Sequence, residues 1–259
     1  MSDAAKDKNR PTLSVVIITR DEEQNLPRCL ESVAWADELI VVDTGSTDST
    51  REIAYEHGAT VYEIEFQGYG PAKAYGVDQA RSVWILSLDA DEEVSPSLVK
   101  EIKAAIANSA HDGYTVPRLT NFLGRWIRHC GWYPDRVLRL FRKDKGQFDG
   151  AVVHERVVLN GSCGALKADL HHYSYPTLEL YLEKSTRYTT IGAEEAFRCG
   201  KRAGFFDLVI RPPVSFISHY FVRLGLLDGI EGFMVSAFSS MAVFVKYAKL
   251  RTLQRKQAG

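Results

Sequence analysis

Two short runs of nearly unbroken apolar, β-branched residues, Leu13 to Ile18 and Glu38 to Val42, constrain this chain more than any other feature. Strands without a polar face must be covered on both sides, as in the parallel sheets of α/β proteins. Between the two runs, Leu26, Leu30 and Val33 recur at helical spacing, so the chain opens strand, helix, strand. After the second strand, Gly45-Ser46-Thr47-Asp48 reads as a turn, and Ser49 with Glu52 three residues on has the form of a capping box for a helix ending near Gly58. Thr60 to Phe66 alternates as a strand, Pro71 to Arg81 reads as a helix, and Val83 to Leu88 as another buried strand. Ser95-Pro96 supplies a cap and a first helical position for Leu98 to Ala107.

This alternation over the first 108 residues predicts an α/β fold with a doubly wound, mostly parallel sheet, whose ligand crevice lies at the carboxyl ends of the strands. Acidic clusters stand at three such ends: Asp21-Glu22-Glu23, Asp43, and Asp89-Ala90-Asp91-Glu92. From Asp112 to about His172 the pattern changes to short strands, at Tyr114 to Arg118, Val137 to Phe141 and Val152 to Leu159, among aromatic and basic loops. Thr177 to Cys199 reads as a helix. The expected organisation is a disordered tail over 1–10 and one α/β domain over 11–175, with its regular alternating half at 11–108 and its short-stranded half at 109–175. A helical region follows over 176–259.

Of the 259 residues 45% are hydrophobic and 25% charged, and the formal net charge is -1, which argues for a folded protein and against one that coats nucleic acid. Cys29, Cys130, Cys163 and Cys199 lie far apart with no Cys-x-x-Cys pair, and Met1 to Arg10 lacks the apolar core of a secretory signal. A cytoplasmic setting is therefore expected.

Asp89-Ala90-Asp91 follows the buried run Trp84 to Leu88, so a strand delivers two carboxylates to the sheet edge. A diphosphate leaving group needs its charge neutralised, and a hard divalent ion held by carboxylate oxygens does this while keeping positions open for phosphate and water. Mg²⁺ or Mn²⁺ is the expected cofactor.

The blocks Ser14 to Glu23, Leu39 to Asp48 and Ser87 to Glu92, in this order and spacing, resemble a family 2 glycosyltransferase with the GT-A fold. Val153-His154-Glu155 and Leu227-Asp228-Gly229-Ile230-Glu231-Gly232-Phe233 extend the resemblance to lipopolysaccharide core-biosynthesis glucosyltransferases of the WaaE/KdtX type. The resemblance implies an inverting transfer of a hexose, glucose from UDP-glucose, to a lipid-linked saccharide; polyprenyl phosphate is the nearest alternative acceptor. It places the nucleotide base on Asp43, base and ribose on the loop Thr19, Arg20 and Glu22, the donor near Lys73, the donor sugar or ribose on Asp89 beside Ala90, and the metal on Asp91. Glu155 takes the role of catalytic base. His172 is a further candidate metal ligand, and since adjacent side chains of an extended segment point opposite ways, only one of His171 and His172 can reach such a site. A nucleotidyltransferase would carry a glycine-rich loop after the first strand, where Thr19 to Glu23 has no glycine. A non-catalytic membrane adaptor would not need Asp89, Asp91 and Glu155, all present.

Trp126, His129, Trp132, Tyr133 and Arg136 form an aromatic and basic cluster suited to a phosphorylated glycan. Near the end, Phe233 to Val245 is uncharged, but thirteen residues are too few for a bilayer core of about 30 Å, which takes roughly twenty. No acid follows Glu231, whereas Lys246, Lys249, Arg251, Arg255 and Lys256 are basic. With the apolar Val214 to Leu227, this predicts helices lying in an anionic headgroup plane on the inner face of the cytoplasmic membrane. A homo-oligomer stays open.

Overall fold

The computed structural model describes residues 12–149 and 156–258. The chain divides into two compact units, 1–118 with 135–172, and 119–134 with 173–259. The second therefore takes in the segment after Arg118 together with the C-terminal helices.

The first unit opens with the expected alternation: β1 (Leu13–Thr19), α1 (Leu26–Val33), β2 (Glu38–Asp43), α2 (Thr50–Glu56), β3 (Thr60–Glu63), α3 (Tyr69–Gln79), β4 (Trp84–Asp89), β5 (Glu92–Val94) and α4 (Pro96–Asn108). β1 pairs in parallel with β2 and β4, and β2 with β3. Every residue of β1 is buried, as its lack of a polar face requires. Antiparallel strands extend this core: β6 (Gly113–Phe122) runs from the first unit into the second, where its end pairs with β7 (Arg125–Ile127), and β8 (Asp135–Arg142) pairs with β4 and β6. β9 (Gly146–Phe148) and β10 (Val157–Leu159) form a separate ribbon; β11 (Cys163–Ala165) joins β6, and β12 (Leu170–Tyr175) joins β5. The sheet is α/β and doubly wound, with the parallel pairs of the N-terminal half as expected and one further parallel pair, β11 with β6. Of the strand expected over Val152 to Leu159, only 157–159 is observed; 152–155 fall outside the described residues.

Two caps separate sequence pattern from physical contact. Ser95 caps α4 as read, its Oγ accepting from the Leu98 amide, with Pro96 in the first turn. Ser49 makes no side-chain cap for α2; the Asp48 carboxylate accepts from the Thr50 amide and hydroxyl instead, so the expected Ser49–Glu52 box is not formed.

The second unit is largely helical: α5 (Leu178–Arg198), α6 (Phe205–Val209), α7 (Arg211–Ile217), a π turn at Ser218–Val222, a 3-10 turn at Gly225–Asp228, and α8 (Gly229–Ala258). Phe122, Ile127, Cys130, Tyr181 and Val235 make a small core there. The apolar C-terminal helix is present, but longer than its uncharged run: the stretch Gly225–Lys256 contains an 18-residue window of mean hydropathy 1.3, only 22% buried. By length and composition it could cross a bilayer, which corrects the expectation that it is too short.

Candidate active site

The parallel register places the site. Thr19 is opposite Asp43 across β1 and β2, and Ile18 is opposite Asp89 across β1 and β4, so both acids arrive at the same carboxyl edge. The loops after β1 and β2 are laced to one another there. Asp21 accepts from the Thr47 amide, Ser46 Oγ from the Asp21 amide, Thr50 Oγ1 from the Glu22 amide, and Glu23 from the Ser49 amide. Arg20 remains largely outside this lacing, 60% exposed, while Thr19 is buried and Glu22 accepts from Asn25 Nδ2.

Asp43 was expected to meet a nucleotide base. Its carboxylate is fully buried, accepting from the amides of Gly45 and Ser46 and the hydroxyls of Thr19 and Ser46. In this structure Asp43 braces the turn at Thr44–Ser46, whose Gly45 has φ +101°, a left-handed conformation that favours glycine.

Around Asp89 the charges are dense. Gly76 lets α3 lie directly on Val16 and Val42, because a Cβ there would collide with both. Lys73, one turn earlier on the same face, is thereby buried to 2%, and its Nζ sits 2.8 Å from Asp89 Oδ1. It is not a solvated surface lysine. From β8, Arg139 donates to both Asp89 and Glu92 at 2.5 Å. Glu92 is wholly buried, accepts from the Asp89 amide, and lies 3.5 Å from Arg118, which also forks onto Asp135. Burial alone would raise the Asp89 carboxyl, but Arg139 and Lys73 outweigh it and hold the group well below the usual carboxylate range. The same acids raise Arg139 despite its burial. The Cys29 thiol, beneath this edge, is pushed up by burial and then by Glu92, Asp91 and Asp89.

Asp91 follows Asp89 by two residues and is met from β12. The antiparallel pairing of β5 with β12 sets His172 opposite Glu92 and His171 opposite Glu93. The two histidines point differently, as extended backbone demands: His171 Nδ1 is 3.5 Å from Glu93, and His172 Nε2 is 3.3 Å from Asp91 Oδ2. His172 Nδ1 is buried with no hydrogen-bond partner among the described residues. A carboxylate oxygen and an imidazole nitrogen bound side by side to one octahedral divalent ion stand about 3 Å apart. The pair Asp91 and His172 fits that spacing. No group of three His, Cys, Asp or Glu side chains that could hold a metal occurs among the described residues, so the pair suits only an ion completed by ligand oxygens and water. Ala90, between the two aspartates, is 4% exposed and packs into the core.

Glu155 and His154 lie outside the described residues. The aromatic and basic loop expected to form one patch is dispersed. Trp132 packs with Phe122, Tyr175 and Tyr181; His129 Nδ1 lies 2.8 Å from the buried Asp228; Arg128 covers Tyr133; and Arg136 donates to the Leu166 carbonyl. Arg139 and Arg118 were not singled out in sequence, and Glu92 only as a member of the acidic cluster after β4. A detectable signal was Arg139 itself, a lone charge within the apolar run Val137 to Phe141.

Comparison with known proteins gives the family and the fold. Residues 14–207 match the model of "Glycosyl transferase family 2". A lipopolysaccharide core biosynthesis glycosyltransferase, LpsC, of Rhizobium meliloti (strain 1021) is 31% identical over 252 residues, covering 92% of this chain and 91% of the relative. Among solved structures, S. aureus TarS 1-349 in complex with UDP-GlcNAc is similar at TM-score 0.50 and 15% identity, covering 95% of this chain and 92% of that one. Glucosyl-3-phosphoglycerate synthase from Mycobacterium tuberculosis, in complex with Mn2+, UDP and phosphoglyceric acid, is similar at TM-score 0.50 and 17% identity over 75% and 80% of the two chains. The chain therefore belongs to glycosyl transferase family 2, and its chemistry is glycosyl transfer.

Proposed function

We propose that this enzyme is an inverting, metal-dependent hexosyltransferase that moves glucose from UDP-glucose to a lipid-linked saccharide of the lipopolysaccharide-core kind. One observation carries the reading: Asp89 and Glu92 have their charge offset by Lys73, Arg139 and Arg118, while Asp91 is set beside His172 at a spacing that suits a shared divalent ion. When bound, Mg²⁺ or Mn²⁺ held by Asp91 and His172 supplies positive charge to the diphosphate. The nucleoside is assigned to Thr19, Arg20 and Glu22 and to the turn braced by Asp43, and the donor sugar to the side of Asp89 and Ala90. Lys73 and Arg139 hold Asp89 ionised and oriented, and Arg139 ties it to Glu92. Glu155, assigned from sequence, removes the acceptor hydroxyl proton as that oxygen bonds to the anomeric carbon and the bond from this carbon to the diphosphate oxygen breaks.

The relative in lipopolysaccharide core biosynthesis supports the acceptor class, and the fold shared with enzymes crystallised with UDP, UDP-GlcNAc and Mn²⁺ supports a nucleotide donor with a divalent cation. Membrane association at the cytoplasmic face is part of the proposal. Phe205, Phe206, Val214, Ile217, Phe221 and Val222 are exposed, from 52% to 74%, and no acid follows Glu231. Such a surface suits helices seated in anionic headgroups.

The test is UDP release from UDP-glucose by purified enzyme, with Mn²⁺ or Mg²⁺ and after chelation, and with lipopolysaccharide core or polyprenyl phosphate as acceptor. Asp91→Ala is expected to lower turnover at least about 10³-fold, corresponding to several kcal/mol of lost charge stabilisation. Full turnover in chelator sinks the metal assignment, and transfer to polyprenyl phosphate alone sinks the acceptor assignment.

A further inference from the structure

The second unit contains a pocket of about 440 Å³ that nothing in the donor reading uses. It lies where α5 faces α8, roofed by α7 and the π turn. The faces that meet there carry small or polar side chains: Ser185, Thr189 and Gly192 on α5, Ser239 and Ala242 on α8. An open, mainly apolar depression of this size with hydroxyls in its wall is in the range of ligand sites, about 300–1,000 Å³.

Its chemistry is specific. Trp132, Tyr175 and Tyr188 contribute aromatic rings, Lys246 an ammonium, and His219 an imidazole whose Nδ1 meets the Ser215 carbonyl, while no carboxylate among the described residues lines the pocket. Lys249, one turn after Lys246, is held by Thr186 O, Thr189 Oγ1 and Thr190 Oγ1, and Lys184 by Ser174. Lys246 has no ion-pair or hydrogen-bond partner among the described residues, so its charge is left to the pocket. Aromatic faces carry negative quadrupole density that meets the C–H faces of sugar rings, and an ammonium flanked by hydroxyls and no acid selects an anion.

We infer that this pocket is a second saccharide site, taking a sugar that bears a phosphate monoester, with Lys246 on the phosphate and the Trp132, Tyr175 and Tyr188 rings against the sugar. A soluble sugar phosphate and the headgroup of a phosphorylated glycolipid present the same groups. None of the pocket residues takes part in the proposed donor site, so binding here is measurable without turnover.

The experiment is calorimetric titration of the full chain, with chelator present, using glucose 6-phosphate, glucose and inorganic phosphate. A parallel arm uses phosphatidylcholine vesicles carrying monophosphoryl lipid A, against vesicles carrying phosphatidylglycerol at equal charge. Saturable binding of glucose 6-phosphate is expected, with glucose and phosphate alone each at least about tenfold weaker. Lys246→Ala, and Gly192→Leu, which fills the pocket beside Lys246, should each weaken it about tenfold or more, and Asp91→Ala should leave it in place. If Gly192→Leu fails to fold, Tyr188→Ala, at a half-exposed ring, replaces it. Preference for the lipid A vesicles assigns a glycolipid; equal vesicle binding with intact glucose 6-phosphate binding assigns the soluble sugar. The inference is overturned by no saturable binding, by inorganic phosphate binding as tightly as the sugar phosphate, by binding unchanged in the pocket variants, or by binding lost in Asp91→Ala alone.

Discussion

At the carboxyl end of β4, Lys73, Arg118 and Arg139 are drawn inward onto Asp89 and Glu92. Between Phe205 and Phe233 the second unit does the opposite, turning Phe205, Phe206, Phe221 and Val222 outward while its polar residues line a pocket. The contrast teaches what each region is shaped against. Charges are buried only when paired, so the first arrangement fixes the geometry of one edge, the edge proposed to meet the donor. Large apolar surface persists in contact with solvent only where something else covers it in use, which suits the second to a lipid boundary.

The most damaging way to break the contrast is Arg139→Met. It leaves Glu92 buried and Asp89 short of one cation, and removing one partner of a buried ion cluster costs about 3–5 kcal/mol at neutral pH. The pH dependence follows from direction. In the wild type the Asp89 carboxyl titrates below its unfolded value, so its contribution is fully present above about pH 4 and is lost only as the pH falls through the lowered folded value. In the variant Asp89 loses the first of the cations that hold its carboxyl down, so it titrates higher than in the wild type and the penalty narrows as the pH falls from 7 toward about 4. Urea midpoints of the two proteins should converge over that interval; a constant gap would mean that the cluster does not carry the difference.

The paired double variant Phe205→Asp with Phe206→Asp probes the other side. These rings are 69% and 74% exposed, so folding should hardly change. Each ring withdrawn from lipid forfeits about 1.5–3 kcal/mol, which makes vesicle binding at least roughly 100-fold weaker for the pair. Co-sedimentation with anionic vesicles measures this, and undiminished binding would move the lipid contact to another surface or remove it.

How much of this was legible in sequence depends on the range of the interaction. The strands of the first unit were readable because β1 and β2 are apolar on both faces, and the α4 cap because Ser95, Pro96 and the Leu98 amide are neighbours in sequence. The D-x-D position at the end of β4 followed from the same local logic. The partners of Asp89 did not: Arg139 comes from an antiparallel strand fifty residues on, and Lys73 reaches it only because Gly76 lets α3 settle on the sheet. Trp132 looked like part of an acceptor loop because aromatic residues in loops suit sugars, but its position against Phe122 and Tyr181 depends on α5, far along the chain. His172 could be proposed but not placed until β12 was known to pair with β5.

The smallest effect tests how the nucleotide edge is held by its own loops. Ser49 with Glu52 has the pattern of a capping box, yet the carboxylate that meets the start of α2 belongs to Asp48, which accepts from the Thr50 amide and hydroxyl and from the Glu23 amide of the neighbouring loop. Asp48→Ala therefore removes a cap and one of the laces between the β1 and β2 loops, at a cost of about 1 kcal/mol, which is a fall of roughly 2–4 °C in Tm. Ser49→Ala removes no side-chain cap and should move Tm by less than about 1 °C. Because Thr50 Oγ1 in turn accepts from the Glu22 amide, loosening Asp48 reaches the loop assigned to the nucleoside, so Asp48→Ala should raise the KM for UDP-glucose more than it lowers kcat. If Ser49→Ala is the more destabilising of the two, the local pattern rather than the lacing governs this helix start, and the edge is held less by its charges than the contrast with the second unit requires.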